Sequence, residues 1–245
     1  GLEVNMNNDA GWCGSGGPWI TPDLAMQKIV SAETNVEGPL RFEGTLPQPQ
    51  VVANYYRDIT VLAFPKPAGD ARIEGLGAKA AFAPTHVAPR ADWPAVPREQ
   101  TVARGQIVNL AAQMDSTGRL SWNVPSGQWT ILRLGHTPTG KDNHPAPEAG
   151  RGLECDKLSR AATDAMFAGL MGRLVADSKP LVGKTLVATH IDSWETGSQN
   201  WTPKFREEFR RLRGYDPLPW LPVVTGRVAE SVEMSERFLW DVRLT

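Results

Sequence analysis

The 245-residue sequence has little cysteine, only Cys13 and Cys155. Two thiols give neither a disulfide framework nor a metal-binding spacing, and we expect both to be free or buried. Excess charge of one sign is also missing. The 26 Lys and Arg nearly balance 27 Asp and Glu, leaving a net charge of −1, so no electrostatic case exists for nucleic acid or an anionic membrane. No apolar run reaches the roughly 18 residues a membrane helix needs. The four histidines, His86, His136, His144 and His190, show no His-x-x-x-His metal spacing. The glycine-rich stretch Gly11–Pro18 lacks the Gly-Lys-Ser/Thr ending of a phosphate loop and does not match the dinucleotide fingerprint. Ser193 lacks a nucleophile-elbow context, which argues against a serine hydrolase. What the chain has in quantity is nine Trp and twenty Pro. Tryptophan suits stacking on sugars, but it suits a protein core as well.

Periodicity divides the sequence into three regions. Leu2, Val4 and Met6 alternate with Glu3, Asn5 and Asn7, a strand pattern. Thr21-Pro22-Asp23 then reads as a helix start, with Leu24, Met26, Ile29 and Val30 as its apolar side. From about residue 36 to 140, Pro and Gly punctuate β-rich runs. Asp58–Pro65, Gln106–Leu110 and Gln128–Gly135 read as strands, and Gly118–Leu134 as an antiparallel pair around Val124-Pro125-Ser126-Gly127. After residue 140 helical periodicity returns. Ser159 caps an expected helix to about Asp177. Thr202 and Pro203 open another, carrying Phe205, Phe209, Leu212 and a Glu207–Arg211 pair, and Gly214 stops it. The last helix covers roughly Ser231 to Arg243. The expected fold class is α/β: a partial (β/α)8 barrel with an inserted antiparallel β module, a doubly wound sheet being the alternative. Residues 1–35 and 141–245 would form the barrel part and 36–140 a sandwich-like insertion. The chain opens in a strand pattern and closes in a helical one, so we expect an internal piece of a longer protein.

The stretch Lys184–Glu195 concentrates the chemistry. Leu186, Val187 and Ile191 suit a strand buried on both faces. Asp192, Trp194 and Glu195 follow at its end, then Gly197 and the polar Ser198-Gln199-Asn200. In parallel α/β folds ligands sit at the C-terminal ends of strands. A carboxylate there can act as acid or base, and an indole offers a flat apolar face; an acidic loop over a core tryptophan would look the same in sequence. Glu154, in Gly152-Leu153-Glu154-Cys155-Asp156-Lys157, is the second candidate. Two such carboxylates are the equipment of glycoside hydrolysis, although Glu154 equally suits pairing with a nearby Lys or Arg. His190 lies on the key strand and can face the site. Asp192 suits orientation or hydroxyl binding. Asn5, Asn7, Asn8 and Asp9 cluster at another strand end, where they can bind a hydroxyl-rich ligand or Ca²⁺, or simply stabilise a turn.

Several ordered stretches carry a resemblance. They are Gly11-Trp12-Cys13 with Gly16–Pro22, Tyr55–Pro65, Gly152-Leu153-Glu154 with Asp156–Ser159, Asp192-Ser193-Trp194-Glu195 with Asn200-Trp201-Thr202, Arg213–Asp216, and Ser235–Asp241. With these the chain resembles glycoside hydrolase family 106, the α-L-rhamnosidases. The resemblance implies a (β/α)8 catalytic barrel with β insertions and inversion at the anomeric carbon. It further implies glutamates as acid and base, calcium dependence, and a bacterial enzyme exported to the periplasm or beyond. Carried onto this sequence, Glu154 and Glu195 are the expected catalytic residues. Asp192, Trp194, His190, Trp12, Trp19 and Asn200 are the expected substrate-binding residues, with Asn8 and Asp9 as candidate metal ligands. Trp12, Trp19, Trp194 or Trp201 would meet the methyl group at C6 of rhamnose. The expected partner is a rhamnose-containing glycan or glycoside. A non-catalytic carbohydrate-binding protein, or a scaffold piece of a larger enzyme, is the competing reading.

Overall fold

A computed structural model describes residues 1–7, 15–80, 95–190 and 195–245. Its strands are β1 (Val4–Asn7), β2 (Gln27–Thr45), β3 (Arg57–Pro65), β4 (Val108–Asn109), β5 (Arg119–Pro138) and β6 (Leu186–His190). Its helices are α1 (Leu76–Lys79), α2 (Arg160–Gly169), α3 (Met171–Asp177), α4 (Phe205–Arg213), α5 (Leu221–Val224) and α6 (Val232–Arg243). The chain is mixed α/β and divides into two units. One comprises Gly1–Gln27, Val52–Tyr55 and Pro138–Thr202; the other comprises Lys28–Val51, Tyr56–Thr137 and Pro203–Thr245. Residues 203–245, expected to continue the barrel part, thus cluster with the β-rich residues.

In the first unit β1 and β6 pair in parallel, Asn7 opposite His190 and Met6 opposite Thr189. Of the β6 residues only Leu186 is buried, and Val187 is 45% exposed, so the strand expected to be covered on both faces is largely open in this chain. A small core gathers Ile20, Ala25, Cys155, Ala162 and Met166, with Trp19, Leu24 and Leu153 packed against it. The helix expected from Thr21 does not form. The chain turns through residues 22–24 and enters β2 at Gln27. The Gln27 side-chain amide donates to the carbonyls of Pro22 (2.9 Å) and Ala25 (2.8 Å), and the β-branched Ile29 and Val30 then favour strand. Ser159 caps α2 as expected, accepting from the Ala162 N–H. The single helix expected to run to Asp177 breaks at Leu170, however, separating α2 from α3. The break adjoins Gly169, where a Cβ would stand 2.2 Å from the Trp19 ring.

The second unit carries a four-stranded sheet in the order β2-β5-β3-β4. β3 and β5 run antiparallel, from Arg57 opposite His136 to Pro65 opposite Trp129. The expected hairpin around Pro125-Ser126-Gly127 is instead one continuous 20-residue strand. Gly127, at φ 99°, takes a left-handed conformation open mainly to glycine; the chain bends there without reversing, leaving residues 125–128 exposed. The core beneath the sheet contains Leu46, Val61, Ala63, Leu110, Leu120, Trp122, Val124 and Ile131. Asp58 and Arg133 lock β3 to β5 through two hydrogen bonds of 2.8 and 2.9 Å, and Tyr56 donates to the same carboxylate at 2.7 Å. Burial alone would raise the Asp58 carboxyl; the bonds from Arg133 and Tyr56 outweigh it and hold it below its ordinary value.

Helices α4 to α6 share an aromatic cluster in which Phe209 meets Phe205, Tyr215 and Phe238, and Trp220 stacks on Phe238. Gly214 ends α4 in the left-handed conformation, at φ 77°. Arg211 pairs with Glu208 at 2.6 Å rather than with Glu207, and Leu212 is exposed. Ser231 caps α6 by accepting from the Met234 N–H. Among the described residues no helix is long and apolar enough to cross a membrane.

Candidate active site

The candidate residues of the first unit fall into a strand end and the buried layer beside it. β6 ends at His190, which is exposed, and Glu195, on the loop that follows, is exposed as well. Asp192 and Trp194, like Trp12, Cys13, Asn8 and Asp9, lie outside the described residues.

Glu154 occupies a different environment. It sits in an extended segment in which Leu153, Glu154 and Cys155 form isolated bridges to Asp142, Gly16 and Ala25. Its side chain is 0% exposed. One carboxylate oxygen, Oε2, accepts from Ser15 Oγ at 2.7 Å and from Lys157 Nζ at 2.6 Å. The other, Oε1, is buried with no hydrogen-bond partner among the described residues. Lys157 Nζ also reaches the Met26 sulfur at 3.4 Å, and Thr196 Oγ1, next to Glu195 in the chain, donates to the same sulfur at 3.7 Å. A run of contacts therefore leads from Glu154 through Lys157 and Met26 to the loop that carries Glu195. The two glutamates differ in kind: one is at the surface, the other is a buried ion-pair member.

Residues 196–202 are held from two sides. The Asn200 N–H donates to the Gln27 carbonyl at 3.2 Å, and Trp201 bridges to Gln27. On the other side stands Asp156, 1% exposed. Its Oδ1 accepts from Gln199 Nε2 at 2.6 Å and from the Leu158 N–H at 3.0 Å, and its Oδ2 from Thr202 Oγ1 at 2.7 Å. The Thr202 hydroxyl thus serves Asp156 and does not cap α4, whose cap position is Lys204. Asn200 and Trp201 are both buried. Trp19 is partly buried in the small core against Gly169, so its ring packs against protein. The sequence alone does not single out Ser15, Asp156 and Lys157. Their only signal there is that Asp156 and Lys157 share a stretch with Glu154.

Among the described residues no three His, Cys, Asp or Glu side chains converge to hold a metal ion. A pocket of about 1490 Å³ lies wholly within the second unit, between Lys79, Arg104, Trp220, Glu236 and Trp240; neither Glu154 nor Glu195 lines it.

Comparison with known proteins places this geometry in a family. The α-L-rhamnosidase family, glycoside hydrolase family 106, matches residues 1–68 and 53–245, together the whole chain. The chain belongs to that family. A protein of Formosa agariphila named "Putative beta-glucuronidase" is 46% identical over 247 residues, spanning 100% of this chain and 21% of the relative. The solved structure of a rhamnosidase from Novosphingobium sp. PP1Y superposes with a TM-score of 0.81 at 24% identity, over 99% of this chain and 36% of that one. The family 106 fold is therefore shared, and the chain spans about a fifth to a third of the length of these relatives.

Proposed function

We propose that this chain is part of the catalytic region of an inverting glycosidase that removes terminal α-L-rhamnose, with Glu195 as a carboxylate that meets the substrate. The observation that carries the reading is the position of Glu195: an exposed acid just past the end of a parallel strand, on a loop tied down by buried polar contacts. Membership of the α-L-rhamnosidase family supports it. The parallel pairing of β1 with β6 supports a (β/α)8 barrel, whose ligands sit at the C-terminal strand ends. His190 lies at that end; Asp192 and Trp194, which follow it in sequence, are assigned with it to sugar binding. Inversion requires a second carboxylate roughly 6.5–9.5 Å from the first, with water between them. Glu154 does not suit contact with water or sugar, because its side chain is wholly buried against Ser15 and Lys157. We assign it to holding Lys157 under the loop.

The test uses the full-length protein that carries this sequence, assayed on aryl α-L-rhamnoside and aryl β-D-glucuronide. Glu195→Gln should lower kcat on the rhamnoside about 10²–10⁴-fold, the range of a general acid or base, with the fold intact. A folded E195Q protein near the wild-type rate would remove Glu195 from the chemistry. Wild-type cleavage of the glucuronide alone would move the substrate to the class named for the Formosa agariphila relative. Binding of rhamnosides without turnover would favour a carbohydrate-binding role.

A further inference from the structure

The loop that follows β6 is clasped by one buried carboxylate. Asp156 sits in a turn immediately before α2, where its own N–H donates to the Leu24 carbonyl at 2.7 Å. Its two oxygens divide their work. Oδ2 takes the Thr202 hydroxyl, and Oδ1 takes the Gln199 amide together with the Leu158 N–H. Lys157, its neighbour in sequence, turns instead to Glu154, so Asp156 is satisfied by hydrogen bonds alone. A carboxylate taken out of water must have such partners, and two of the three come from residues 199–202. The opposite side of the same segment is tied to Gln27 through Asn200 and Trp201. Residues 199–202 are therefore fixed on both sides, four to seven positions after Glu195.

We propose that Asp156 is a positioning residue for catalysis: through Gln199 and Thr202 it sets the placement of the loop that bears Glu195. This rests on the assignment of Glu195 as the substrate-facing carboxylate. It adds a prediction which that assignment does not make, because a clasp that served only to fold the chain would leave turnover untouched in folded protein. A reacting group displaced by about 1 Å costs on the order of 100-fold in rate. Such a displacement shows in kcat when substrate binding is made by other groups.

Asp156→Asn discriminates a clasp from a need for charge. In this variant the side-chain oxygen keeps the place of Oδ1 and still accepts from the Gln199 amide and the Leu158 N–H, while the side-chain amide donates to Thr202 Oγ1, a hydroxyl that accepts as well as donates. The clasp is then rebuilt without charge.

The experiment measures kcat and KM for the full-length wild type, Asp156→Ala, Asp156→Asn, Thr202→Val and Glu195→Gln on aryl α-L-rhamnoside, with circular dichroism and melting curves alongside. D156A should lose about 100-fold in kcat with KM within about threefold. D156N should stay within about fivefold of wild type, because its hydrogen bonds are remade. T202V, which removes one hydroxyl at nearly constant shape, should lose about tenfold in kcat, the equivalent of one hydrogen bond. If D156A fails to fold, T202V and D156N carry the test. Wild-type kcat in T202V, or a folded D156A within threefold of wild type, overturns the proposal. So does a D156N protein as impaired as D156A. A wild-type rate in E195Q sinks the reading of Glu195 instead. A dead E195Q beside unaffected D156A and T202V sinks the clasp alone.

Discussion

The β1–β6 pair and the four-stranded sheet are written in similar apolar residues yet differ in burial. In β3, Val61, Leu62, Ala63 and Phe64 are all buried. In the parallel pair Val4 and Val187 are both exposed, and Leu186 alone of the β6 residues is buried. Antiparallel strands can bury one face on a core of their own, whereas parallel strands are found with both faces covered. The second unit supplies its sheet with a core from its own residues. The parallel pair shows strand pairing without that cover, and the chain spans 21% and 36% of the two relatives compared. An apolar run in sequence thus reports the burial a strand is built for, and the residues that provide it need not be close in the chain.

The contrast breaks hardest at charge. The first unit buries the ion pair Glu154–Lys157, 0% and 11% exposed, while the second locks its sheet with the half-buried Asp58–Arg133. Removing one member of a buried pair leaves the other uncompensated, typically a cost of about 3–5 kcal/mol. Lys157→Met should therefore destabilise the first unit by about that much, read as lost hydrogen-exchange protection around Leu153–Cys155 in the full-length protein. The double variant Glu154→Gln/Lys157→Met should recover most of the loss, since both charges are then gone. A K157M protein with unchanged protection would mean that the pair contributes little.

Leu132 and Val187 sharpen the comparison of strands. Leu132, fully buried on β5, should cost about 2–5 kcal/mol as Leu132→Ala. Val187, 45% exposed in this chain, should cost less than about 0.5 kcal/mol as Val187→Ala if it stays exposed. If a barrel closes over β6 in the full-length protein, the same change should cost about 1–2 kcal/mol for the lost burial. Denaturation of both variants in the full-length protein separates the two cases, and a near-zero V187A effect would count against the barrel.

Much of the local structure could be read from sequence because its causes are local. The alternation of β1, the apolar run of β3, the Ser159 cap and the Gly214 stop each depend on a few adjacent residues. The errors came where distant residues decide. Thr21–Val30 has a helical start, but Ala25 and Gln27 bridge to Cys155 and Trp201. Gly118–Leu134 has a turn sequence, but its later half pairs with β3, so no hairpin is needed. The site divides in the same way. The place of His190 at the end of β6, with Glu195 shortly after it, is legible because a strand end is visible in sequence. The Asp156 clasp is not, because its partners Gln199 and Thr202 lie 43 and 46 residues away and no periodicity links them. Glu154 was found by its neighbours but not its burial, which Ser15 imposes from 139 residues away.

The last expected effect is one of pH, and it belongs to the second unit. His136 on β5 stands opposite Arg57 on β3. Burial first, and then the positive charge of Arg57, lower the imidazole from 6.5 to about 4. The folded state therefore holds His136 neutral across a range where the unfolded chain binds a proton, and stability must fall as protons are added. The loss begins below about pH 6.5 and is complete near pH 4. Asp58, held below its ordinary 3.8, adds its own loss only at lower pH, so the windows separate. Hydrogen exchange of the β3 and β5 amides, corrected for intrinsic rates, should show weaker protection at pH 5 than at pH 7 in the wild type. His136→Gln should flatten that difference, because the glutamine has no proton to gain. Equal pH dependence in both proteins would assign the acid sensitivity of this sheet to another group.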